Sequence, residues 1–175
     1  MIRRATVVLV LDCILAVIAS AQSSMEDRRS AQETKARGYW VDPTTRLMWA
    51  RKDNGKDVNW QKAMKYCSDL RFAGYSDWRL ATIHELQGIY DRDGARALGH
   101  TVLGDCPGSV IIAWSVKGNL SLTGCAWSSS RTLDGRGRPS GRAAWLFDPF
   151  GGRPENEPLG YYHGLRAPCI RRSGE

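Results

Sequence analysis

Apolar positions change period along this chain, and each change predicts an element. Residues 5–19 are almost continuously apolar, whereas 22–37 (QSSMEDRRSAQETKAR) hold no aromatic residue and little to bury. Two short runs, Tyr39-Trp40-Val41 and Leu47-Met48-Trp49, flank Asp42-Pro43-Thr44-Thr45 and predict a β-hairpin about a proline-started turn. In residues 59–74, Trp60, Ala63, Met64, Cys67 and Leu70 recur at helical spacing. Asn59 is a suitable N-cap for that helix and Gly74 a suitable C′ residue. Thr82 and Glu85 form a capping box and predict a second helix over 82–91, with Leu86, Ile89 and Tyr90 as its apolar stripe. Strands are expected at 110–114, 126–130 and 143–147, and a last element at 164–171, where Pro168 suggests an edge or a bulge. Gly- and Arg-rich loops, 131–142 and 148–160, separate these. A hairpin, two helices and then strands give an α+β domain rather than a βαβ one.

The start of the chain reads as an export signal. Arg3 and Arg4 precede the apolar run, and Ala19-Ser20-Ala21 supplies a small-residue cleavage site. The division expected is a signal peptide at 1–21, a flexible or loosely helical lead at 22–37, and one domain at 38–172. Asp12 interrupts the apolar run, which leaves an uncleaved amphipathic anchor as the competing reading; it also makes Cys13 a poor lipidation site. No second apolar segment of about twenty residues occurs, so nothing else spans a membrane. The expected location is secreted or periplasmic.

That location changes the meaning of the cysteines. Cys67, Cys106, Cys125 and Cys169 remain after cleavage, an even number that implies two disulfides with three possible connectivities. Zinc is disfavoured, since no two of them lie two to four residues apart. Net charge is +7, or +6 once Arg3, Arg4 and Asp12 are removed, and no run of five or six like charges occurs. Asp53, Asn54 and Asp57 offer oxygen ligands, but EF-hand spacing and its closing Glu are missing, so they read as a solvated turn. The seven tryptophans read mainly as core, with Trp114 and Trp127 the better candidates for exposure because Ser and Gly flank them.

Taken together, the motifs Asp42–Trp49 (DPTTRLMW), Asp57–Ala63 (DVNWQKA), Tyr66-Cys67, Ser76–Leu86 (SDWRLATIHEL), Trp127–Ser130 (WSSS) and Cys169–Arg171 (CIR) resemble the Lcl C-terminal domain family. This is the C-terminal domain of bacterial collagen-like adhesins, found also in many exported proteins. The resemblance covers about residues 38–172. It departs in two ways: no Gly-X-Y run is present, and Ala81 stands where the family usually has Pro. The resemblance implies a C-type-lectin-like α+β domain, with two helices and short antiparallel strands, stapled by disulfides. The same fold underlies the formylglycine-generating sulfatase-modifying enzymes. It further implies bridges Cys67–Cys169, joining an early helix to the final strand, and Cys106–Cys125. Within it Trp78 and Leu80 would pack in the core, and Arg79 would be partly buried against carbonyls or a carboxylate such as Asp77.

Chemistry for an enzyme is hard to find. No cysteine has a neighbouring His or cation to lower its pKa, His84, His100 and His163 stand apart, and no hydrolase, metalloprotease or phosphate-loop motif occurs. The loop and strand motifs of calcium-dependent lectins are also missing. No cofactor and no metal are expected. A binding module remains. From Ala126 onward the chain carries eight arginines, no lysine and five acids. Arginine suits flat, bidentate recognition of sulfate or carboxylate. The resemblance implies sulfated glycans as ligands, and Arg131, Arg136, Arg138, Arg142 and Arg153 are the expected contacts. The competing reading is a cell-envelope module that meets a protein partner or a second copy of itself. Nucleic acid is not expected as a partner.

Overall fold

The structure, a computed structural model, describes residues 2–91, 116–149 and 151–174. The expected strand at 110–114, His100, Cys106 and Trp114 lie outside these residues. The chain divides into two compact units, residues 1–33 and 34–175. The first belongs to α1 (Ile2–Arg37), a continuous helix that includes the segment 22–37 expected to be flexible or loosely helical. No Gly or Pro interrupts this stretch, and Arg29 pairs with Glu33 one turn on, at 3.1 Å. The helix stops where Gly38 enters the left-handed region at φ 77° and returns its N–H to the Thr34 carbonyl. Among the described residues no helix is long and apolar enough to cross a membrane.

The second unit is α+β. Its elements are β1 (Tyr39–Val41), β2 (Leu47–Ala50), α2 (Trp60–Asp69), β3 (Arg79–Leu80), α3 (Ile83–Gly88), a 3₁₀ turn (Lys117–Asn119), β4 (Cys125–Leu133), β5 (Pro139–Asp148), β6 (Arg153–Pro158), β7 (Leu165–Arg166) and β8 (Cys169–Arg172). They build two four-stranded sheets, ordered β1-β2-β8-β3 and β6-β5-β4-β7. Pairing is antiparallel except between β4 and β7.

The expected hairpin forms around Asp42, whose carboxylate accepts from the Thr44 N–H at 2.9 Å and the Thr45 hydroxyl at 2.7 Å. Asn59 caps α2 by accepting from the Lys62 N–H. That helix ends at Asp69, short of the expected Gly74. Ala73 and Gly74 instead sit at φ 53° and 82°, in a tight turn whose flanking Phe72 and Tyr75 exchange both backbone hydrogen bonds. Two successive positive φ angles are the signature of a type I′ hairpin turn. The second helix is also shorter than expected, because α3 ends at Gly88 and Tyr90 leaves it to bridge Val116.

The C-terminal half departs most from expectation. Strands β4 and β5 are longer than expected, and β6 occupies a segment read as a loop. Its prolines, Pro154 and Pro158, are tolerated because β6 is an edge strand and needs donors on one side only. The closing segment is two strands in two sheets: β7 lies beside β4, Ala167 and Pro168 carry the chain across, and β8 enters between β2 and β3.

Two apolar clusters hold these layers. One gathers Met48, Ala63, Cys67, Trp78, Leu80, Trp127, Leu146 and Cys169; the other Trp40, Trp49, Leu86, Ile89, Leu122, Phe147 and Ile170. Neighbours in sequence, Leu146 and Phe147, fall into different clusters, so β5 is covered on both faces at that end. Trp127 is fully buried, contrary to the expected exposure, and its indole N–H donates to the Val58 carbonyl at 2.9 Å. Gly118, at φ 71°, lies flat against Trp40, where a Cβ would fall 2.0 Å from a ring carbon. Only glycine fits there.

Cys67 on α2 is bonded to Cys169 on β8, closing a sequence separation of 102 residues. Cys125 is also disulfide-bonded; Cys106, its expected partner, lies outside the described residues. Breaking Cys67–Cys169 with the pair Cys67→Ala and Cys169→Ala should cost about 4–5 kcal/mol by the chain-entropy model, read as a lowered urea midpoint. Unchanged stability would show that the packed core alone fixes β8.

The capping box at the start of α3 is complete: the Thr82 hydroxyl accepts from the Glu85 N–H at 3.3 Å, and Glu85 accepts from the Thr82 N–H at 2.7 Å. Arg79 forks onto the same carboxylate at 2.7 and 2.9 Å rather than onto Asp77. It also donates to the Leu80 carbonyl at 3.3 Å, and 44% of its side chain is exposed. Burial alone would raise the Glu85 pKa, but the bonds from Arg79 and from the Thr82 N–H and hydroxyl prevail and bring it from 4.5 to about 2. A depressed carboxyl pKa gives stability that is complete above pH 4.5 and lost as pH falls toward 2. The pair is partly solvated, so Glu85→Gln should cost only about 1–2 kcal/mol at neutral pH. Melting curves of the two proteins should converge as pH falls from 4.5 to 2.

Candidate functional site

The five arginines named from the sequence fall into three places. Arg136 and Arg138 stand at the β4–β5 turn, where Arg138 pairs with Asp134 at 3.2 Å. Backbone N–H groups of Arg138 and Arg136, with the Arg138 side chain, hold the Asp134 carboxyl below its ordinary pKa. Arg153 opens β6 opposite Asp148, at the far end of β5. Nine residues of strand separate it from the turn, about 30 Å at ordinary strand rise. Arg131, Arg142 and Arg153 belong to strands rather than to the expected loops. These five side chains do not converge on one point.

Arg131 and Arg142 lie on the neighbouring strands β4 and β5. Between the pairs Trp127↔Leu146 and Arg131↔Ala144, three residues of β4 face one of β5. This bulge delivers Arg131 over α2, its guanidinium carbon 5.4 Å from the centre of the Trp60 ring. The Trp60 indole is fixed in turn by donating to the Ser128 carbonyl at 2.8 Å. Buried Ser128 reaches across the bulge to the Trp145 carbonyl at 2.7 Å. One Arg131 amine lies 3.8 Å from the position of a Cβ on Gly141, beside Arg142. Arg142 is two residues before Ala144, the partner of Arg131, in a stretch of β5 where the register with β4 shifts. Its exposed guanidinium has no ion pair among the described residues. The Arg131 Nε is buried without a hydrogen-bond partner.

This face is not uniformly basic. Glu157 lies in register with Ala144 and Arg131, two strands from the latter, about 10 Å by sheet spacing. Burial, and then the charges of Glu157 and Asp57, raise the pKa of nearby Tyr161. Beyond it Tyr162 and His163 stack with ring centres 4.1 Å apart, both exposed. The patch is therefore Arg131 on an aromatic support with Arg142 on the next strand, bordered by a carboxylate.

The sequence profile of the Lcl C-terminal domain matches residues 38–166. The chain belongs to the Lcl C-terminal domain family. No curated protein matches it. Family membership makes this an adhesin-type binding domain, and the disulfide accords with an extracytoplasmic setting.

Other candidate residues of this Lcl C-terminal domain have roles the sequence did not reveal. Asp53, Asn54 and Asp57, expected as a solvated turn, form a clasp to distant residues, of which Asp53 is the buried member. Asp53 is 7% exposed and accepts from the Thr123 N–H at 2.6 Å, the Thr123 hydroxyl at 3.0 Å and the Gly55 N–H at 2.8 Å. Asn54 accepts from the Ala167 N–H at 2.7 Å, and Asp57 pairs with Arg166, which is 5% exposed. All the carboxylate oxygens of Asp53 are thus in use. No group of three or more metal-ligating side chains occurs among the described residues. Asp77, expected beside Arg79, belongs instead to Arg171, whose forked bonds of 2.7 and 3.2 Å lower its pKa. His84 is exposed on α3. Removing the clasp with Asp53→Ala leaves the half-buried Thr123 N–H and hydroxyl and the Gly55 N–H without their acceptor and should cost about 1–3 kcal/mol. Calcium should not move the melting temperature of either protein; a rise with calcium in the parent alone would mark a cation site instead.

Proposed function

We propose that this chain is an exported, non-enzymatic binding module that recognises anionic surface glycans, sulfated or uronic-acid polymers, through Arg131 and Arg142. The observation that carries the reading is a guanidinium braced on the Trp60 face, with a second, exposed one on the neighbouring strand. A braced guanidinium has already lost rotational freedom, so less is lost when it forks onto a sulfate or carboxylate. Family membership and the arginine excess of the C-terminal half support the same class of ligand. Export with cleavage after Ala21 is part of the proposal. Its support is the basic, apolar and small-residue order of the first 21 residues, together with the disulfide. The scaffold we place in the C-type-lectin-like class, on the ground that an early helix is tied to the final strand.

One half-buried and one exposed arginine give a modest affinity at a single site. Longer polymers would gain by engaging Arg136 or Arg153 on the same molecule, or several molecules at once. Such binding depends on screened charge and should fall steeply between low and physiological salt. The test is heparin retention of the double variant Arg131→Ser and Arg142→Ser against Arg136→Ser and Arg138→Ser. The first should elute at clearly lower salt with its melting temperature nearly kept, and the second should shift less. Equal elution of all three would remove the proposed site and favour a protein partner or self-association.

A further inference from the structure

A second concavity lies on the other side of α2, away from Arg131. Lys35, Gly38, Ala50, Arg51, Lys52, Asp53, Tyr66, Leu70 and Phe72 line a cavity of about 470 Å³. That volume is within the usual range for small-ligand sites, about 300–1,000 Å³. Three cations face it and one carboxylate. That carboxylate, Asp53, is taken up by Thr123 and Gly55. The positive charge of Lys35, Arg51 and Lys52 is therefore left without a counter-ion among the described residues.

The base of the cavity is rigid. The Arg51 N–H donates to the Gly38 carbonyl at 2.9 Å, and the Arg51 carbonyl accepts from the Ser121 N–H at 2.8 Å. Gly38 presses on the rim of Phe72, where a Cβ would come within 2.9 Å of a ring carbon. The Phe72 ring and Leu70 thus form an apolar wall at fixed distance from the cations. Tyr66 supplies a hydroxyl, and burial followed by the Asp53 charge raises its pKa, which keeps it a donor. The Arg51 side chain is unfinished: its Nε is buried without a hydrogen-bond partner. A buried N–H left unpaired is costly, and a turn of the guanidinium onto an anion would relieve it.

We propose that this cavity binds one carboxylate-bearing sugar unit, of the hexuronate kind. Arg51 forks onto the carboxylate, Lys35 and Lys52 supply further charge, Tyr66 donates to a ring hydroxyl, and Phe72 and Leu70 cover the apolar face. The charge requires an anion, and the aromatic wall beside a phenol favours a ring over a bare inorganic ion. This site is separate from Arg131 and Arg142 and stands whether or not heparin binds there.

The test is calorimetric titration of the intact protein with sodium glucuronate, with glucose and sodium sulfate in parallel. Saturable binding of glucuronate is expected, with no binding of glucose and at least tenfold weaker binding of sulfate. Arg51→Gln should weaken glucuronate at least tenfold. Tyr66→Phe, which keeps the ring and its packing, should weaken it severalfold while leaving the melting temperature in place. The pair Arg131→Ser and Arg142→Ser should bind glucuronate as the parent does. An oligosaccharide ending in glucuronate binds at least as well if the natural ligand is a chain end, and worse if it is a free acid. Absence of saturation by glucuronate, equal binding of glucose or sulfate, or full affinity in both Arg51→Gln and Tyr66→Phe would overturn the proposal.

Discussion

Eight residues near the end of the chain, 165–172, complete both sheets. Strand β7 closes the second sheet against β4, and β8 fills the centre of the first, between β2 and β3. A central strand pairs on both edges and is buried on its inner face, so its loss uncouples β3 from the β1–β2 hairpin. Two kinds of restraint hold this segment in place. The Cys67–Cys169 bridge ties it to α2, and the clasp of Asp53, Asn54 and Asp57 grips Thr123, Arg166 and Ala167 at the crossover. Charge and covalent chemistry converge on one short stretch because its backbone must leave one sheet and enter the other within two residues.

The same restraints place the candidate binding groups. Helix α2 is anchored by its disulfide on one side and by Trp127, donating to the Val58 carbonyl, on the other. It therefore presents Trp60 to the arginines of β4 and β5 and Tyr66 to the opposite cavity from a fixed axis. A helix held at both ends would let the groups it carries, Trp60 and Tyr66, meet a ligand without a large conformational change.

Local signals made part of this legible from the residues alone. The Asp42 turn, the Asn59 cap and the Thr82–Glu85 box each depend on neighbours within three residues, and each forms as expected. Long-range partners left no such trace. Asp53 reads as a turn residue until Thr123, 70 positions away, is brought to it. Asp77 and Glu85 divide Arg171 and Arg79 between them in a way fixed only when β3 pairs with β8. Strand β6 was hidden by its prolines, which signal a loop unless the strand is known to be an edge. The bulge that turns Arg131 onto Trp60 has no local signature, so the arginines could be counted from the sequence but not grouped.

The position of β8 bears on when the molecule can form. Contacts between β2 and β8 span more than 120 residues, and the Cys67–Cys169 closure spans 102. Nothing upstream of the crossover can substitute for the missing central strand. The first sheet therefore cannot be completed until β8 has been made and has folded back between β2 and β3. Topologies dominated by such distant contacts fold slowly, on timescales of about milliseconds to seconds. Until then the β2 edge that β8 will cover lies open, and it is there that a half-folded molecule is most exposed to mispairing.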